Sequence, residues 1–70
     1  MKELVTYLIF NGTAREVSPD TTIRALIEQS KLSPDKVAIE LNRRFVKTEK
    51  YDTVLSPNDQ VEIVTFVGGG

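Results

Sequence analysis

The sequence has no cysteine and no histidine. The first absence excludes a disulfide framework and any thiolate metal site. The second removes the commonest general base and the commonest metal ligand together. A dominant charge is missing too. Lys and Arg number 9 against 10 Asp and Glu, a formal net charge of −1, which gives no support for nucleic-acid binding. No apolar run approaches the roughly 20 residues of a membrane span. Met1-Lys2-Glu3 does not lead into a secretory apolar region. The expectation is a cytoplasmic protein with neither nucleic acid nor membrane as a partner. At 70 residues it has room for one domain, burying roughly 60% of the surface that the unfolded chain exposes.

What is present reads as alternating strands and one helix. Leu4 to Phe10 is rich in β-branched and aromatic residues, as a strand requires. Asn11-Gly12 follows, the strongest short hairpin signal, because both positions of a type I′ turn take positive φ. Thr13 to Val17 is a more polar return strand, suited to a sheet edge, and Ser18-Pro19-Asp20 breaks it. Thr21 or Thr22 can cap a helix. Ile23, Leu26 and Ile27 then form a one-sided apolar stripe at i, i+3 and i+4, with Arg24, Glu28 and Gln29 on the wet side. The helix fades by Ser30 to Leu32 and ends at Ser33-Pro34. Val37, Ile39 and Leu41 alternate with period two. Asn42-Arg43 is a turn and Phe45-Val46 a short partner strand. Tyr51 sits in a polar stretch, planted by a helical turn. Ser56-Pro57-Asn58-Asp59 is turn chemistry, with Asn58 suited to a left-handed conformation. Val61 to Val67 is the last strand.

The first and last strands are the most apolar and belong in the sheet interior. Ile23, Leu26 and Ile27 should pack on Leu8, Ile39, Leu41 and Ile63. A single helix covers one face of a sheet, yet both parities of these strands are apolar. An uncovered face would normally alternate to polar residues. The leftover set is Tyr7, Ile9, Val64 and Phe66. Either it is an exposed partner surface, or the loop around Tyr51 folds back to bury it.

Chemistry is sparse. Arg43, Arg44, Lys47 and Lys50 form a small basic cluster, read as a solvated turn face that could steer an acidic partner. Thr21, Thr22, Ser33 and Ser56 lack a base that would make a nucleophile. Glu40, Glu49, Asp52 and Asp59 lack metal-loop spacing, and no glycine loop precedes a helix to hold phosphate. The remaining stretch is Val67-Gly68-Gly69-Gly70. Glycine has no side chain to pack and loses the most backbone freedom when ordered, so Gly68, Gly69 and Gly70 read as a mobile, slim arm after a domain spanning 1–67. Its carboxylate, with an ordinary pKa of about 3.3–3.7, is the most distinctive reactive group. A terminal glycine run alone is better read as a frayed end; the domain in front of it favours the arm.

The order of pieces resembles a known family. Phe10-Asn11-Gly12, Thr22-Ile23 with Leu26-Ile27, Val37-Ala38-Ile39, Leu41-Asn42 with Val46, Asn58-Asp59 before Val61-Glu62-Ile63-Val64, and Val67-Gly68-Gly69-Gly70 are similar to the ubiquitin-like β-grasp sulfur carriers. The similarity is closest to the ThiS family of thiamine biosynthesis and covers nearly the whole chain. Asn58 stands where the family often has glycine, and asparagine tolerates the same backbone. The resemblance implies an α+β β-grasp fold: a mixed sheet of four to five strands with one main helix across one face. It implies a carrier rather than an enzyme, with no bound cofactor and monomeric when free. An E1-like enzyme would use ATP and magnesium to adenylate Gly70. Sulfur from a sulfur-donating enzyme would replace AMP to leave a thiocarboxylate, and a thiazole synthase would take that sulfur. The alternatives are a carrier like the small subunit of molybdopterin synthase and a plain β-grasp binding module. The former family tends to carry prolines where this chain has Thr65-Phe66-Val67.

Overall fold

The computed structural model describes residues 5–66. The expected arm, Gly68, Gly69 and Gly70, lies outside them. Strands β1 (Thr6–Phe10) and β2 (Thr13–Val17) form a hairpin, followed by helix α1 (Ile23–Gln29) and then β3 (Val37–Leu41), β4 (Arg44–Val46) and β5 (Gln60–Thr65). Short 3₁₀ turns occupy Pro34–Lys36 and Thr48–Lys50. The sheet order is β2-β1-β5-β3-β4. β5 lies at its centre, parallel to β1 and antiparallel to β3, and the polar β2 is an edge, as expected.

The helix starts where its free donors find acceptors. Of the N–H groups that a first turn leaves unpaired, Ala25 donates to the Thr22 hydroxyl at 3.0 Å. Ile23 donates to the Thr53 carbonyl at 3.1 Å and Arg24 to that of Tyr51 at 2.8 Å. The segment after the second 3₁₀ turn is therefore the lid on the helix N-terminus. Leu55 N–H to Thr21 carbonyl, 2.8 Å, closes it from the other direction. At the far end Lys31 takes φ 62° just past the Ser30 cap, a left-handed stop of the kind that terminates many helices.

The helix lays Ile23, Leu26 and Ile27 on the sheet. The core they enter contains Leu8, Val37, Ile39, Val61 and Ile63, together with Val17, Tyr51 and Leu55, while Leu41 is half-buried at its margin. At about 1.5–3 kcal/mol per buried aliphatic side chain, three residues suffice to hold a seven-residue helix that would not be stable alone. Tyr51 is 2% exposed, planted by the 3₁₀ turn beside the helix start. Its loop packs on the helix side and leaves the opposite sheet face open.

Both hairpins turn on asparagine. Asn11 and Gly12 have φ 49° and 85°, and Asn42 and Arg43 have φ 53° and 71°, the double positive φ of a type I′ turn. Each asparagine also reaches β5. Asn11 N–H donates to the Val61 carbonyl at 2.9 Å, and its side-chain oxygen accepts the Ile63 N–H at 2.8 Å. On the other side Asn42 N–H donates to the Gln60 carbonyl at 2.7 Å, and its side-chain oxygen accepts the Gln60 N–H at 2.8 Å. Each side chain replaces the ladder carbonyl that its own turn carries away. Leaving the part-buried Ile63 N–H unpaired costs about 1–3 kcal/mol. Asn11→Gly should therefore lose about that much stability although glycine suits the turn, Asn11→Ala should lose more, and Asn11→Asp should retain most of it. Urea denaturation of the three variants is the measurement; equal stability of Asn11→Gly and the parent would remove the clamp.

Candidate functional site: the open sheet face and the strand that leads to the tail

β5 is the structural root of the glycine tail. Its pairing with β3 runs from Leu41↔Val61 to Val37↔Thr65. The last ladder bond in the described residues is Phe66 N–H to the Lys36 carbonyl, 3.0 Å. Residues 67–70 follow that anchor in the sequence. At the other end Asp59 fixes where the strand begins. Its carboxylate accepts from Ser56 N–H at 2.8 Å and from the Asn42 amide at 3.0 Å. Its carbonyl accepts from Ile9 N–H at 2.9 Å. Asn58 takes φ 70°, the left-handed conformation expected of it, and donates to the Tyr7 carbonyl at 2.7 Å.

The open face carries the four residues singled out from the sequence. Tyr7 is 53% exposed, Ile9 36%, Val64 59% and Phe66 59%. They do not form one continuous patch. Ile9 lies beside Gln60, and Val64 is four residues further along β5, about 13 Å at strand spacing. Gln60 and Glu62 stand between, and Glu62 is paired with Glu40 across β3. The face is thus two apolar lobes, Tyr7–Ile9 and Val64–Phe66, separated by a polar, acidic band. Sequence reasoning missed Phe45, 68% exposed and paired with Glu40. Its signal was the inward parity of neighbouring Val46, which pairs with the buried Ile39. Beside the first lobe, the charge of Glu16 and a hydrogen bond to its carboxylate raise the Tyr7 phenol above its ordinary pKa of 10.0.

Among the described residues no constellation for catalysis appears on either face. Among the described residues no group of three acidic, His or Cys side chains could hold a metal. No described helix is long and apolar enough to cross a membrane. A cavity of about 410 Å³ beside the helix start is lined by Ile23, Leu41, Phe45 and Val46 together with Lys47 and Lys50. Arg43, Arg44, Lys47 and Lys50 are all exposed, as a solvated cluster should be.

The profile of the ThiS family matches residues 8–70. This chain belongs to the ThiS family. It is 38% identical over 65 residues to the sulfur carrier protein ThiS of Bacillus subtilis, covering 90% of this chain and 98% of that one. It is also 38% identical to thiazole synthases of Magnetococcus marinus, over 61 residues, and Paramagnetospirillum magneticum, over 64. It covers 86% and 90% of itself there, but spans about a fifth of their length (19% and 20%). The crystal structure of the thiamine biosynthesis protein ThiS from Geobacter metallireducens superposes with TM-score 0.76 at 28% identity, over 93% of this chain and all of that one. The five-stranded mixed sheet with one helix is therefore the β-grasp fold of this family.

Exposure and burial give opposite expectations for stability. Val64→Ala and Phe66→Ala should each cost below about 1 kcal/mol, whereas Tyr51→Ala should cost about 3–5 kcal/mol. Thermal and urea unfolding of the three variants checks the contrast. A large loss at Phe66 would place its ring in the core.

Proposed function

We propose that this protein is a sulfur carrier for the thiazole branch of thiamine biosynthesis, acting through the carboxylate of Gly70. The observation that carries the reading is the construction of β5. The strand is anchored on both sides by Asn11 and Asn42, and its anchoring runs to Phe66, directly before Val67-Gly68-Gly69-Gly70. A rigid root followed by residues with no side chain past Val67 suits a group that must enter another enzyme's site. The likeness to the Bacillus subtilis sulfur carrier supports the same reading. The two relatives named thiazole synthase contain a region like this chain within a longer polypeptide, which supports a thiazole synthase as the acceptor.

The chemistry follows from the carboxylate's weakness as an electrophile. An E1-like enzyme with ATP and magnesium joins a Gly70 oxygen to the α-phosphorus and releases pyrophosphate. The acyl adenylate is attacked at carbon by the terminal sulfur of a persulfide on a sulfur-donating enzyme, AMP departs with its oxygen, and a thiol reductant cleaves the S–S bond of the acyl disulfide so formed, returning the donor's thiol. The resulting thiocarboxylate donates sulfur to the synthase. This chain supplies position and a docking surface; the partners supply the bases, the metal and the nucleotide. Tyr7, Ile9, Val64 and Phe66 are its contact residues, with Val64 and Phe66 nearest the tail.

With the adenylating enzyme, ATP, magnesium and a sulfur source, the intact protein should gain the mass of one oxygen exchanged for sulfur, and fragmentation should place it on Gly70. Deleting Gly70 withdraws the carboxylate by roughly 3.5 Å, and about 1 Å of misplacement can cost a hundredfold. Transfer should fall severely, and adding one residue after Gly70 should do the same, with folding unchanged in both. Phe66→Ala should weaken binding to the adenylating enzyme by about 2 kcal/mol. Full transfer by both the shortened and the extended chain would leave the reading without its mechanism.

A further inference from the structure

The acidic band across the open face breaks a local rule. Glu40 and Glu62 are directly opposed on neighbouring central strands, and both are exposed. The bonds at Asn42–Gln60 and Lys36–Phe66 fix the alternation of the ladder, so Glu40–Glu62 is a hydrogen-bonded pair with Cα atoms about 5.5 Å apart. Like charges so placed destabilise a sheet. The ion pair formed among the described residues, Arg24 with Asp52, lies on the helix side and relieves neither carboxylate. The pair sits between the two apolar lobes, with Phe45 beside Glu40 and Glu16 beside Tyr7. Departures from local consistency that the fold does not need are expected where a protein binds.

We propose that the open face docks the adenylating enzyme through a cationic side chain, best an arginine, seated across Glu40 and Glu62. Apolar side chains of that enzyme cover Val64–Phe66 on the tail side and Ile9–Tyr7 on the other. The proposal rests on the sulfur-carrier reading for the identity of the partner. A guanidinium has a planar fork of donors that can bridge two carboxylates, and it converts the repulsion of the free protein into attraction in the complex. An acidic band also raises the rate of encounter with a basic partner, which suits an enzyme met by diffusion and released after each round. Covering both lobes requires contact across the band, so a partner with an acidic or purely apolar surface there is rejected.

The test uses the whole protein and the adenylating enzyme of the same organism. Glu40→Gln and Glu62→Gln should each raise the melting temperature, by about 2–5 °C, because repulsion is relieved. Each should weaken binding about tenfold in titration calorimetry and flatten its salt dependence. Glu49→Gln removes an exposed acid in the second 3₁₀ turn, away from this face, and should leave binding unchanged. Unchanged or tighter binding by Glu62→Gln overturns the proposal. So does equal weakening by Glu49→Gln, which would show a net-charge effect, or weakening toward the thiazole synthase alone. At saturating enzyme the glutamine variants should still gain sulfur. A parent protein that binds but never gains sulfur would overturn the carrier reading, while the glutamine variants would still judge the docking.

Discussion

The structure depends on holding one strand, β5, from both sides by side chains that belong to turns. A β-hairpin turns its backbone away from the sheet and so abandons the ladder at that point. Here each abandoned position is filled by the asparagine that makes the turn, Asn11 toward Ile63 and Asn42 toward Gln60. The same residue type answers two demands: a left-handed backbone at low cost and an acceptor oxygen at ladder distance. The consequence is a centre strand pinned along its length in a domain with few other means of rigidity, without disulfides and with a short helix.

The second constraint is arithmetic of faces. A sheet of five strands has two faces, and a helix of seven residues covers one. The loop that plants Tyr51 is spent closing the helix N-terminus through Tyr51 and Thr53 carbonyls, so it cannot also shield the other face. What remains open is half apolar and half acidic. For an isolated protein both halves are unfavourable, the apolar lobes because they face water and the Glu40–Glu62 pair because like charges oppose. In the docking proposed above, both would become favourable on the same event.

Much of this was legible in the chain because it is local. The Asn11-Gly12 turn, the Thr22 cap, the Ile23, Leu26 and Ile27 stripe, the left-handed Asn58 and the outward parity of Tyr7, Ile9, Val64 and Phe66 each follow from a few adjacent residues. The missed features depend on pairing across long separations. Asn11 meets Ile63 across 52 residues, and no local pattern distinguishes a turn asparagine from one that also completes a ladder. The division of the open face into two lobes depends on the register that sets Ile9 beside Gln60 and Glu62 beside Glu40. Parity gives the face of a residue but not its neighbour. The closure of the helix start by Tyr51 and Thr53 was hidden for the same reason.

The register also gives β5 a part in both faces of the sheet. β5 alternates its parities between two tasks. Val61 and Ile63 enter the core and tie the strand to α1, while Glu62, Val64 and Phe66 stand on the open face. A partner on the open face, as proposed above, would therefore hold a strand whose other side, Val61 and Ile63, is buried in the core. Under the docking proposed above, contact with Val64 and Phe66 would bear on the strand that Val61 and Ile63 tie to the core and from which residues 67–70 continue in sequence.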